Sequence, residues 1–249
     1  MQASSEPANF PDILPAGDSA ALIRFGDALN VSVNAAVLKF DRELASERIQ
    51  GVTETSPALV SLLVRFNPLQ VSFDALCQQL EKRLGGTDWF GETEVQQSRR
   101  WRIPVLYGDD AGEDLGEIAT LLGLSEADTI DQHSASVLRV LTLGFAPGCA
   151  YLGMLPENWN LPRLKVIKPR VEAGSILVAV RQTVMPSAAM PTGWRCIGRT
   201  PLNNFNTSNN PPVLVQHGDE VQYTPVSKRE FEGLQSLQAN GETIIECVH

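Results

Sequence analysis

With 249 residues, 43% hydrophobic and 20% charged, the chain has the composition of a water-soluble globular protein of one large domain or two modest ones. Its formal charge of −9 repels phosphate backbones, so a nucleic-acid partner is excluded unless a local basic patch offsets it, and one short stretch, residues 163–170, carries Arg163, Lys165, Lys168 and Arg170. No apolar run is long enough to span a bilayer, and the opening MQASSEPANFPDILPAG lacks the basic-then-apolar order of an export signal.

That opening reads as a polar tail. Residues 20–25 (AALIRF) form an apolar run ended by Gly26, which predicts a strand. From 30 to 49 apolar residues recur at helical spacing, and Gly51 ends the helix. A strand is expected over 58–66, with an edge strand over 52–55 before it. Ser72 is a suitable N-cap for a helix over 73–84, closed by Gly85 and Gly86. A strand over 101–107 completes a split β-α-β order, the pattern of ferredoxin-like domains.

After Asp109 and Asp110 the texture changes. Two short helices, 114–122 and 125–134, are divided by Gly123. Short apolar runs punctuated by glycine and proline follow at 137–143, 175–180, 194–197, 213–215 and 220–224, the spacing of a β-barrel or sandwich. A late helix (230–237) and a closing strand (243–248) end the chain. The boundary between the two parts is placed at 104/105, giving domains 1–104 and 105–249.

Cys77, Cys149, Cys196 and Cys247 are far apart, which predicts reduced thiols in the cytoplasm. The three histidines are equally scattered, so no metal site is predicted. The segment GFAPGCAYLGMLP (144–156) bends its backbone with Gly144, Pro147 and Gly148. A bare cluster of this kind is more often a tight barrel corner than a binding loop, and both readings stand at this point. Cys149 has only His133 nearby in sequence as a base, so packing is its expected role. Arg181-Gln182-Thr183 after a strand could hold a carboxylate or an amide, and Arg199, between Gly198 and Thr200, could meet an anion. There is no G-x-x-x-x-G-K-[ST], G-x-G-x-x-G or G-x-S-x-G, so no self-contained nucleotide or serine-hydrolase site is written here.

In this order, GFAPGCAYLGMLP, PRVEAGSILVAVRQT (169–183), TGWRCIGRTP (192–201) and GDEVQY (218–223) resemble one family. It contains the B-type subunits of bacterial 5-oxoprolinase, allophanate hydrolase subunit 1 and an inhibitor of a sporulation histidine kinase. The resemblance implies an α+β chain: a ferredoxin-like N-terminal domain followed by a cyclophilin-like β-barrel. It also implies two partners, a second carboxyltransferase-like subunit (the C type of 5-oxoprolinase) and a third, A-type 5-oxoprolinase subunit. Together they would use ATP to open 5-oxoproline to glutamate, with the ATP site shared among subunits and this chain inactive alone. Kinase inhibition and a urea- or allophanate-metabolising amidohydrolase are the alternatives.

Carried onto this chain, His133, Gln182 and Arg199 are the expected catalytic residues. Gly144, Phe145, Pro147, Gly148, Tyr151, Arg170, Thr183 and Thr200 are the expected substrate-binding ones. The chain departs from the family pattern at Cys149, usually phenylalanine, at Met154, usually glycine, at Val184-Met185-Pro186-Ser187, and at Thr192.

Overall fold

The computed structural model describes residues 10–91 and 99–248, which divide into two compact units, 1–96 and 97–249. In the first, β1 (Asp12–Pro15) and β2 (Ala20–Arg24) form a hairpin ahead of α1 (Val31–Glu47), β3 (Val52–Pro57), β4 (Ser61–Phe66) and α2 (Phe73–Leu84). The strand order is β1-β2-β4-β3, and every adjacent pair is antiparallel. The caps are those the side chains favour. Asn30 Oδ1 accepts from the Val33 N–H, and Ser72 Oγ accepts from Ala75. Both helices bury their apolar stripe against the sheet, where Phe25, Phe40 and Trp89 meet edge to face or tilted at 5.0–6.3 Å between centroids.

Two expectations are corrected in this region. Part of the expected polar tail, Asp12–Pro15, pairs with β2 and occupies the sheet edge, while residues 1–9 lie outside the described residues. The strand expected to complete this sheet, β5 (Arg100–Tyr107), lies in the second unit, so a boundary at 104/105 would cut through it. Its alternation of arginine with buried Trp101, Ile103 and Val105 suits any half-buried sheet position, so pattern alone does not choose the sheet.

The second unit continues with α3 (Leu115–Leu122), α4 (Glu126–Ala135), β6 (Val137–Leu143), β7 (Ala150–Gly153), β8 (Lys168–Val171), β9 (Ser175–Ala179) and β10 (Gln182–Met185). Then come β11 (Met190–Thr192), β12 (Arg195–Arg199), β13 (Glu220–Pro225), α5 (Lys228–Ala239) and β14 (Glu246–Val248). Strand order is β12-β9-β10-β7-β6-β13-β5, and a β12–β5 pairing closes the ring into a seven-stranded barrel, with β14 beside β5. Of the expected strands, 213–215 is reduced to a bridge between Val213 and Phe205, and 243–248 to its last three described residues. The sequence pattern does not announce β7, β8, β10 and β11; each is three or four residues long, too short for an alternation to show.

Residues alternate between two environments along the wall. Ile176, Val178, Leu152 and Ile197 join the barrel core. Leu177, Ala179, Val184 and Cys196 face outward and are covered by Val171 and Met190 of the β8–β11 ribbon and by Trp194. The β9–β10 hairpin turns on Val180 (φ 44) and Arg181 (φ 63), left-handed positions that asparagine and glycine normally occupy. Four hydrogen bonds clamp this turn: Val180 N to Leu161 O, Arg181 N to Trp159 O, Leu155 N to Arg181 O, and Arg181 Nε to Leu155 O. Because Val180 is an exposed β-branched residue held in αL, Val180→Asn should raise unfolding stability by about 1 kcal/mol in urea denaturation. An unchanged or lowered midpoint would show that the valine carries no strain.

Candidate functional site at the barrel rim

One end of the barrel gathers most of the residues singled out by sequence. The Gly144–Gly148 loop joins β6 to β7 and closes through Gly144 N to Cys149 O at 3.0 Å and Cys149 N to Ala146 O at 3.1 Å. Gly148, at φ 73, rests so closely on the next segment that a Cβ would lie 2.7 Å from Phe205 Cβ. Ser187 Oγ donates to Pro147 O, and Gly174 N donates to Pro186 O at 2.8 Å, bringing the β8–β9 turn to the same rim. At Gly174 (φ 78) a Cβ would stand 2.3 Å from Thr200 O, so this turn and the IGRTP segment interlock through backbone. Thr200 is buried and its Oγ1 accepts from Leu202 N, a local turn bond. Phe145, by contrast, is 72% exposed at φ 70 and projects from the rim.

Arg199 ends β12 opposite Ser175 and is half-buried. Among the described residues its guanidinium has no hydrogen-bond or ion-pair partner; Glu172 is the nearby carboxylate. Arg170 holds Glu172 at 2.8 Å, and that hydrogen bond, with a smaller contribution from Arg199, lowers the Glu172 pKa. The rim therefore offers one uncommitted guanidinium beside the Gly174 turn, a group suited to a small carboxylate.

The other expected residues lie elsewhere. Gln182 sits across from Ala179 and Gly153 at the opposite end of the outer wall, four residues along β9 from the Ser175–Arg199 pair, or about 13 Å. Its side chain is buried and makes no hydrogen bond among the described residues. Tyr151 is on the same outer face, half-buried, with its ring edge-on to Trp194 at 6.1 Å; Arg163 lies over the Trp194 ring at 5.2 Å. Thr183 points the other way, into the barrel, where its Oγ1 is 3.0 Å from His133 Nε2. His133 Nδ1 is 2.8 Å from Tyr107 Oη, and its ring stacks on Tyr223 at 5.1 Å and 14°. The ring is wholly buried, and desolvation lowers its pKa from 6.5 to about 3, so it is neutral at physiological pH. The structure thus joins His133 to Thr183 but separates both from Arg199, and separates Gln182 from Arg199.

Cys149 is fully buried, and burial pushes its thiol up to about 11, so it holds no thiolate at neutral pH and packs against the outer-wall cluster. Two residues that matter here escape a reading of the sequence alone. Asn204 bridges the rim loop to Val215, and Asp219 collects Arg99, Trp101 and the 216–219 turn. The repeated asparagines after IGRTP and the Gly-Asp pair are their only sequence signals. Among the described residues no cluster of three or more His, Cys, Asp or Glu could hold a metal, and no helix is long and apolar enough to cross a membrane.

Known proteins agree with this architecture. The B-type subunit of 5-oxoprolinase from Bacillus subtilis (strain 168) is 34% identical over 225 residues, 86% of this chain and 92% of that protein. The solved structure of TTHA0988 superposes with a TM-score of 0.72 at 29% identity over 84% of this chain, which spans only 40% of that one. The Kluyveromyces lactis urea amidolyase matches 95% of this chain with a TM-score of 0.78, but at 16% identity and over 16% of its own length, a likeness of fold alone. The family model described as carboxyltransferase domain, subdomain C and D, matches residues 11–215, and it is to this family that the chain belongs.

Proposed function

We propose that this chain is one subunit of an ATP-dependent 5-oxoprolinase, opening 5-oxo-L-proline to L-glutamate together with partner subunits of the C and A types. Support comes from three curated relatives, all named as B-type 5-oxoprolinase subunits, at 32–34% identity. The observation that carries the site is the uncommitted Arg199 at the glycine-built rim. Its fork pairs with the substrate carboxylate in two parallel hydrogen bonds and fixes the ring against the Gly144–Gly148 loop, with Phe145 covering it from the solvent side. Arg170 reinforces the rim indirectly by holding Glu172. Thr183 and His133 work from behind the wall, where the sealed imidazole fixes the strand β10 that carries Gln182. Gln182 lies too far along the wall to share one small ring with Arg199.

The rim does not fit a triphosphate by itself. It brings one uncommitted cation, with the Glu172 carboxylate nearby, and its glycine loop leads into a strand rather than a helix N-terminus. ATP is therefore assigned to the partner subunits.

The test is reconstitution of the chain with its C- and A-type partners, reading ADP and glutamate released from 5-oxoproline, with urea and allophanate as parallel substrates. Arg199→Ala should lower kcat/KM about 10- to 100-fold, the loss of one charged hydrogen-bonded pair. Full activity of that variant would remove Arg199 from the site. A complex that turns over only urea or allophanate, or nothing, would overturn the 5-oxoproline assignment.

A further inference from the structure

We propose that Asn204 is a positioning residue that seats the Gly144–Gly148 loop on the barrel rim; this deepens the functional reading above and rests on it. Asn204 follows the IGRTP segment and is 2% exposed. Its amide nitrogen donates to Gly148 O at 2.9 Å and to Val215 O at 3.3 Å, while its Oδ1 accepts from Val215 N at 2.8 Å. Both amide protons and the carbonyl are thus in use, each on backbone distant in sequence. From the loop side, Gly148 presses its α-carbon against the same segment, with the Cβ position 3.3 Å from Asn204 O and closer still to Phe205. The seat has two parts: an amide that grips the Gly148 carbonyl, and a backbone that leaves no room beside it.

Side chains reach the loop's backbone at one other point among the described residues, Ser187 to Pro147 O, and that contact is solvent-exposed. Water competes for the serine bond but not for the buried asparagine one, so Asn204 is the stronger anchor. Other residue types fail for identifiable reasons. Aspartate would turn an oxygen toward the Gly148 carbonyl, and leucine would leave two carbonyls and one N–H unmet. In the functional reading above the ring held by Arg199 rests against this loop, so the seat acts on substrate binding rather than turnover.

The experiment uses the full chain alone and in its reconstituted complex. In the chain alone, Asn204→Asp should speed hydrogen exchange of the Gly144 and Cys149 amides about tenfold or more, with β9 and β12 amides unchanged. In the complex, KM for 5-oxoproline should rise about tenfold with kcat within about twofold of wild type. Gly148→Ala presses on the seat from the other side without removing a buried hydrogen bond, and should give the same local signature even if Asn204→Asp does not fold. Unchanged loop exchange in Gly148→Ala and any folded Asn204→Asp, exchange raised across the whole barrel, or a fall in kcat at constant KM would each overturn the proposal. A wild-type complex inert toward 5-oxoproline would refute the functional reading and leave the loop exchange to decide the seat.

Discussion

Acidification from pH 6.5 toward pH 3 is expected to destabilise the folded chain by about 1.4 kcal/mol per pH unit through His133 alone, roughly 4–5 kcal/mol in all. The unfolded ring takes up its proton near pH 6.5, whereas the folded one, desolvated between Tyr107, Tyr223 and Trp159, does so only near 3. Between those values the unfolded state binds more protons, so stability falls as the pH drops. Above the window both states are neutral, and below it both are charged, so the slope vanishes at either side. His133→Gln keeps a polar side chain near Tyr107 and Thr183 but does not titrate. At pH 7 wild type should be the more stable; by pH 4.5 its advantage should have shrunk by about 2–3 kcal/mol. Urea denaturation of both proteins at several pH values measures this, and a difference that stays constant with pH would show that His133 is not held neutral.

Asp219→Ala should cost about 3 kcal/mol of unfolding free energy, because a buried indole N–H and a part-buried turn amide lose their acceptor together. Asp219 Oδ2 accepts from Trp101 Nε1 and from Gln216 N, both at 2.9 Å. Arg99 adds a two-point pair, Nε to Oδ1 at 3.1 Å and Nη2 to Oδ2 at 2.7 Å, but its side chain is 37% exposed and regains water when the partner goes. The penalty therefore comes mainly from the indole and the turn amide, at this junction of β5 and the turn before β13. Asp219→Asn retains one acceptor oxygen and should lose less than half as much. Equal losses for the two variants, or a loss below about 1 kcal/mol for the alanine, would show that these donors find other partners.

Local pattern carries the first unit far. The 3.6-residue recurrence of Val33, Ala36, Val37, Phe40 and Leu44 is a property of α1 itself, and Ser72 caps α2 whatever lies around it. The rim is legible for a related reason. Gly148, Gly174 and Gly198 stand where chain segments approach so closely that a Cβ would collide with a neighbour, and such approaches demand glycine in the sequence itself.

Residue order alone thus dictates the helices, the glycine-marked turns and the family. Register and barrel closure govern the remainder, and neither exists until distant segments have paired. Neighbouring residues on a strand point to opposite faces, so Gln182 lies on the outer wall and Thr183 beside His133 only once β10 has paired with β7 and β9. Trp101 to Tyr107 joins the barrel because β13, β12 and β14 present free edges to it, a choice its own alternation does not encode. Asn204 and Asp219 gain their roles from backbone groups far along the chain, and a side chain's partners at that distance are set by the closed barrel rather than by any local spacing.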